Sequence, residues 1–231
     1  MSYFNEWAFG IYPYVVLSVF FLGSLIRFDR EQYTWKSDSS QMLRRGQLRL
    51  GSNLFHVGVI GLLLGHFGGL LTPPDLYHAL GVSTEQKQMG AMVAGGILGS
   101  LGLVGLILLV HRRLAEPRIR KTSKPMDIFI LLWILATLVL GLLSITVSVR
   151  HLDGAEMLKL TGWAQHIVTF RPGAAALVAD VHPIYKIHLM FGMTAFLLFP
   201  FSRLVHVWSG FGALAYLMRA YQVVRSRRLQ S

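Results

Sequence analysis

The amino-acid sequence predicts an all-α fold, a polytopic membrane bundle of five transmembrane helices, and three observations carry that expectation. The 231 residues are 53% hydrophobic and only 14% charged, whereas a soluble domain carries about 25% charged residues. Mean hydropathy is +0.51. Five apolar stretches, at residues 9–26, 50–71, 89–110, 128–149 and 184–208, are each long enough to cross a hydrocarbon core as a helix. No internal repeat and no low-complexity linker divides the chain, so residues 1–231 are expected to form one domain.

The first stretch has no positive charge before it and ends at Ile26-Arg27-Phe28-Asp29-Arg30 without a small-residue cleavage site, so it reads as a retained anchor rather than a signal peptide. The second contains no Asp, Glu, Lys or Arg, yet carries six glycines together with His56 and His66. The third is also glycine-rich and includes a Gly95-x-x-x-Gly99 pair, a spacing that lets helices approach closely. The fourth is read as a span on length and hydropathy alone. Between the fourth and fifth lies the longest outer loop. Its 153–170 part is expected to form an amphipathic interfacial helix, with Met157, Leu160, Ala164 and Ile167 on one face and Arg171-Pro172-Gly173 as its stop. The fifth stretch carries His188, Pro200 and His206.

Orientation follows from the positive charges. The formal net charge is +11, and seventeen of the 22 Lys and Arg lie in the segments after the first and third stretches, at the end of the fifth and in the tail. Positive-inside logic therefore places the N-terminus outside and the C-terminus in the cytoplasm. That distribution is an orientation signal, whereas a nucleic-acid binder would gather its basic residues with aromatics on one soluble face. The chain has no Cys, which excludes disulfides, thiolate metal sites, iron–sulfur ligation and covalent haem attachment.

Nine histidines fall into two sets. His78, His151, His166 and His182 lie in outer loops, and His111 sits beside Arg112 and Arg113 at the inner end of the third stretch. These five read as solvated or interfacial imidazoles, or as groups exchanging protons with a nearby site. His56, His66, His188 and His206 lie inside spans, where an ionisable residue is a functional-site hypothesis by default. Their alternative is a hydrogen bond to a neighbouring helix, which is less natural for four residues on only two helices. His188 and His206 are eighteen residues apart, five turns, so they point the same way, and His56 and His66 differ by only ~80°. The second stretch runs outward and the fifth inward. His66 therefore faces His188 near the outer surface, and His56 faces His206 near the inner one.

Two such pairs are too far apart to share one tetrahedral zinc. They suit two bis-imidazole haem irons, with an apolar slot and glycines (Gly58, Gly61, Gly65, Gly68, Gly69 and Gly192) leaving room for macrocycles. The helical spacings are ~15 Å between His56 and His66 and ~27 Å between His188 and His206, a mismatch that tilted helices, tilted macrocycles or a kink at Pro200 would have to absorb. Arg203, one turn before His206, is either a partner for a haem propionate or an ordinary snorkelling arginine.

Several segments carry a wider likeness: Tyr12-Pro13-Tyr14, Gln32-Tyr33-Thr34-Trp35, Ser39-Ser40-Gln41-Met42-Leu43, Ser52-Asn53-Leu54-Phe55-His56, Gly65-His66-Phe67, Gly162-Trp163-Ala164-Gln165 and Phe199-Pro200-Phe201-Ser202-Arg203-Leu204-Val205-His206. Over nearly its whole length the chain resembles the cytochrome b membrane subunits (gamma subunits) of respiratory nitrate reductase. The resemblance implies a quinol-oxidising dihaem cytochrome of the bacterial cytoplasmic (inner) membrane, with two non-covalent b-type haems. In it His66 and His188 ligate the outer haem iron, and His56 and His206 the inner one. It also implies a quinol site at Gly65, His66 and Lys87, the only lysine in Glu85-Gln86-Lys87-Gln88-Met89-Gly90. Protons would be released outside. Electrons would pass inward to an iron–sulfur (beta) subunit and on to a molybdenum (alpha) subunit that reduces nitrate in the cytoplasm. Two rivals remain: a related dihaem subunit serving a sulfur-cycle or heterodisulfide-type iron–sulfur enzyme, and a proton-coupled transporter using the histidines as a relay.

Overall fold

The chain, seen in a computed structural model, is described over residues 3–31 and 43–209, and among the described residues every regular element is helical. We label these α1 (Tyr3–Arg30), α2 (Arg45–Leu71), α3 (Pro74–Ala79), α4 (Thr84–Ala115), α5 (Pro117–Thr122), α6 (Pro125–Ser148), α7 (Ala155–Val168), α8 (Ala174–Leu177) and α9 (Pro183–Leu198). Five helices are long and apolar enough to cross a membrane: α1, α2, α4, α6 and α9 with its following turn. They coincide with the five expected stretches. The Gln32-Tyr33-Thr34-Trp35 segment, most of Ser39–Leu43 and the basic tail after Ser209 lie outside the described residues.

α1, α2 and α4 run further than their apolar stretches because a nucleated helix continues through polar residues that hydropathy does not register. Their starts obey local chemistry. Pro stands in the first turn of α3, α5, α6 and α9, where a missing N–H costs nothing. Ser83 opens α4 with a capping box, its hydroxyl accepting from the Gln86 N–H while the Gln86 side chain accepts from the Ser83 N–H.

α7 forms where the amphipathic pattern predicts it. Ala164 and Ile167 are buried, Met157 and Leu160 are half-buried, and Trp163 joins them. With Phe9, Val178, Val181 and Tyr185 these residues make a core that ties α7, α8 and the start of α9 to the first turns of α1. There Trp163 Nε1 donates to the Phe9 carbonyl (2.9 Å) inside a π-helical turn, Trp7–Ile11.

Glycine makes the α2–α4 seam. A Cβ on Gly58 would lie 2.5 Å from the Gly102 nitrogen, one on Gly61 would lie 2.8 Å from Leu98, and one on Gly105 would run into the Phe55 backbone. Gly58 and Gly61 are therefore packing glycines, which corrects their reading as room for a macrocycle. The Gly95-x-x-x-Gly99 pair does sit at a close approach: a Cβ on Gly99 would lie 2.7 Å from Leu142 of α6.

The fifth span departs from the expected continuous helix over 184–208. α9 ends at Leu198 and is followed by 3-10 turns at Phe199–Phe201 and Arg203–Val205. Pro200 cannot donate a backbone hydrogen bond, and Ser202 is extended, with φ −122° and ψ 177°. The Ser202 hydroxyl then accepts from the Leu204 N–H (3.2 Å) and restarts the chain.

Candidate functional site

α2 presents His56 and His66 ten residues apart. α9 presents His188, and the restarted chain presents His206. The ring centroids of His56 and His206 are 6.2 Å apart, and those of His66 and His188 are 6.1 Å apart. The pairing expected from the sequence is the pairing observed, and the chain between His188 and His206 is interrupted after Leu198.

Two features test whether these imidazoles fit a metal placed between them. With a metal–imidazole bond of about 2.0 Å and about 1.2 Å from nitrogen to ring centre, two imidazoles facing each other across one metal would have centroids about 6.4 Å apart. Both pairs meet that requirement. The second feature is the Nδ1 environment. His56 Nδ1 lies 2.7 Å from the Ser52 carbonyl, His66 Nδ1 lies 2.7 Å from the Leu62 carbonyl, and His206 Nδ1 lies 2.6 Å from the Arg203 carbonyl. A carbonyl accepts, so each Nδ1 carries the proton and each Nε2 keeps its lone pair for a ligand bond. His188 differs. Its Nδ1 is buried without a close hydrogen bond of good geometry and faces the Thr137 backbone of α6, and its ring lies against α6, where a Cβ on Gly141 would be 2.9 Å from Cε1.

The surroundings suit a flat macrocycle. α2 and α9 scarcely touch backbone to backbone, and a Cβ on Gly65, Gly68, Gly69 or Gly192 would meet no heavy atom within 4 Å. Among the described residues no three His, Asp or Glu gather as a metal cluster, so each site is a facing pair.

The remaining expected residues are placed as follows. Gly65 adjoins His66. Lys87 Nζ, at the start of α4, donates to the Thr72 carbonyl at the end of α2 (3.3 Å) and stands 4.2 Å over the Tyr77 ring. Arg203 is half-buried beside the His56–His206 pair, and Arg113, ion-paired to Asp127 at 3.5 Å, lies in its neighbourhood. Four of the other five histidines hydrogen-bond locally, His78 to Thr84, His151 to Val147, His166 to Pro172 and His182 to the Ile184 N–H, and His111 of α4 bonds Gln47 of α2. Sequence reasoning missed Gly141, whose only signal was a lone glycine inside an apolar run.

The class these features define is a helical membrane protein with two facing imidazole pairs between two of its spans. Comparison with known proteins makes this specific. The profile of the nitrate reductase gamma subunit family matches residues 5–227. The chain is 50% identical to the respiratory nitrate reductase 1 gamma chain of Escherichia coli K12, over 98% of this chain and 100% of that one. It is 38% identical to the nitrate reductase gamma chain of Bacillus subtilis 168, over 94% and 96% of the two chains. A more distant likeness, 29% identity over 67% of this chain and 46% of the relative, is to an Hdr-like menaquinol oxidoreductase cytochrome b-like subunit of Archaeoglobus profundus. The chain belongs to the nitrate reductase gamma subunit family, membrane subunits of an oxidoreductase complex.

Proposed function

We propose that the chain is the dihaem cytochrome b of a respiratory nitrate reductase, taking electrons from a membrane quinol on its outer side and delivering them on its cytoplasmic side to an iron–sulfur subunit and thence to a molybdenum subunit. The observation that carries this reading is the pair of facing imidazoles at 6.1 and 6.2 Å. Bound haem supplies the one-electron carriers that the side chains lack. His66 and His188 hold the outer group through their imidazole nitrogens, and His56 and His206 hold the inner one. The Leu62, Ser52 and Arg203 carbonyls fix three of these rings in the Nδ1–H tautomer and raise the basicity of Nε2. Arg203 is suited to a propionate, as a cation beside the inner pair.

The quinol binds at the end of α2 beside Gly65, His66 and Lys87. The Lys87 ammonium, tethered to the Thr72 carbonyl, donates a hydrogen bond to a quinol oxygen. Loss of two electrons frees two protons to the outer side, and the inward movement of charge builds a membrane potential. This assignment sets the N-terminus outside and the C-terminus in the cytoplasm of a bacterial inner membrane, in keeping with the positive charges.

The test is pyridine haemochrome analysis of the detergent-purified chain, with the expectation of two b haems per polypeptide. A folded, colourless chain would overturn the cytochrome reading and favour a histidine relay. The distant cytochrome b-like relative supports a second reading, in which the same cytochrome serves a different iron–sulfur enzyme. Copurification with a nitrate-reducing molybdenum and iron–sulfur pair separates the two.

A further inference from the structure

A helix broken inside an apolar medium leaves carbonyls without their i+4 donors, and such groups must be satisfied by the protein. The break after Leu198 has this problem at Pro200 and Ser202, and one side chain answers it. Arg27 of α1 donates through one guanidinium nitrogen to the Pro200 carbonyl (2.7 Å) and the Ser202 carbonyl (3.0 Å). The same face of α1 grips the chain on both sides of that point. Phe20 packs edge-on against Phe196 and Phe199, with centroids 5.4 and 5.0 Å away, and lies 5.8 Å from Trp208. A Cβ on Gly23 would fall 2.9 Å from the Pro200 ring. The Ser24 hydroxyl accepts from Trp208 Nε1 (3.3 Å). Phe20, Gly23, Ser24 and Arg27 recur at i, i+3, i+4 and i+7, one stripe of one helix.

His206 lies between two of these holds, the Ser202 carbonyl and Trp208. We propose that the Phe20–Gly23–Ser24–Arg27 stripe is a splint for the broken span, with Arg27 the positioning residue that sets where His206 meets His56. The stripe acts through the backbone of residues 199–205 and through Trp208. An unbroken helix would carry His206 ~27 Å from His188, against ~15 Å between His56 and His66. In the structure the two pairs face at 6.2 and 6.1 Å, and the break lies on the stretch that joins His188 to His206. His188 stands on α9 before the break, so the splint governs one pair and spares the other. Arg27 thus has a role besides that of a cytoplasmic positive charge.

The proposal rests on the haem reading above, and its test separates the two. Arg27→Gln and Gly23→Ala are compared with Arg30→Gln, which removes the same charge from the exposed last turn of α1. His206→Ala and His66→Ala provide reference spectra for each haem. Arg27→Gln and Gly23→Ala are expected to remove the His56–His206 haem, or to shift its midpoint potential and low-spin electron paramagnetic resonance signal, leaving the His66–His188 signal and Arg30→Gln as wild type. Unchanged signals in both variants, or equal disturbance of both haems, would overturn the splint. Should the wild-type chain hold no haem, the function reading fails by itself. The splint is then judged by spin-label distance between Val57→Cys and Val207→Cys in this cysteine-free chain. A distance that lengthens with Arg27→Gln supports it, and an unchanged one refutes it.

Discussion

At the His66–His188 end both partners stand on uninterrupted helices, whereas at the His56–His206 end one partner stands beyond a break held by a neighbouring helix. α2 divides along the same line. Around His56 its glycines, Gly51 and Gly58, press against Gly105 and Gly102 of α4. Around His66 its glycines, Gly65, Gly68 and Gly69, meet nothing within 4 Å of an added Cβ. The charges differ too: the Arg113–Asp127 pair near Arg203 is largely buried, while the Lys159–Asp180 pair between α7 and the segment before α9 is more exposed. The contrast teaches that one residue type serves two physical ends within a single helix. Glycine close to His56 brings two backbones together, and glycine close to His66 keeps space open.

The largest expected effect breaks that contrast directly. Gly58→Val drives a side chain into the Gly102 backbone, which has no rotamer with which to retreat. Overpacking of this kind costs about 3 kcal/mol or more, so the chain should accumulate poorly and melt early. Gly69→Leu, three residues on from His66 and next to it on the helix surface, adds more bulk where nothing stands in the way. That variant should accumulate as wild type and lose only the haem of the His66–His188 end. Melting curves and haem-to-protein ratios check both. Equal damage from the two substitutions would erase the distinction.

A smaller effect sharpens the comparison at His188. Its ring is the one of the four whose Nδ1 makes no close bond to its own span; the Thr137 backbone of α6 faces it instead, and Gly141, one turn further along α6, supplies the space. Gly141→Ala places a methyl 2.9 Å from Cε1, and the ring must yield by a few tenths of an ångström. The expected result is a shifted signal for that haem, with the His56–His206 signal unmoved. An unaltered spectrum would mean that the ring is held by something other than the α6 surface.

How much of this was legible depends on the range of each interaction. The five spans follow from hydropathy, and α7 from its periodicity, because both are local properties of a stretch. The histidine pairing was legible because antiparallel spans fix which residues meet; the five-turn argument for His188 and His206 assumed a continuous helix, which the break after Leu198 removes. Three Nδ1 bonds follow the same local logic, to carbonyls three or four residues back. The break was half legible: Pro200 marks it, but the extended Ser202 and the Arg27 bonds to residues more than 170 positions away depend on tertiary packing. The division of the α2 glycines was illegible for that reason. Gly58 and Gly65 differ in what the neighbouring helix presents to them, and no feature of their own sequence surroundings records it. The short helices α3 and α5 had Pro at their starts as a signal, but six residues each give hydropathy too little to register.

The smallest expected effect concerns the charges that join α7 to the segment before α9. Lys159 Nζ donates to Asp180 Oδ2 (3.0 Å) and Glu156 Oε1 (3.4 Å), linking α7 to the segment before α9. The hydrogen bond from Lys159 lowers the Asp180 carboxyl below the ordinary carboxylate range, and its counterpart raises the Lys159 amine above the ordinary lysine range. A depressed carboxyl adds stability above its ordinary range and loses it as pH falls through the lowered value. A raised amine adds stability below its ordinary range and loses it as pH climbs through the raised value. The pair's contribution is therefore flat across neutral pH. Both groups face solvent, where salt screens such a pair within about 8 Å at physiological ionic strength. Asp180→Asn should leave the melting temperature and both haem signals unchanged at neutral pH and physiological salt. A fall in melting temperature confined to low salt would fit the screened pair. A spectral shift at the His66–His188 end would instead mean that this loop charge reaches the imidazoles, and the two ends would then differ in electrostatics as well as in packing.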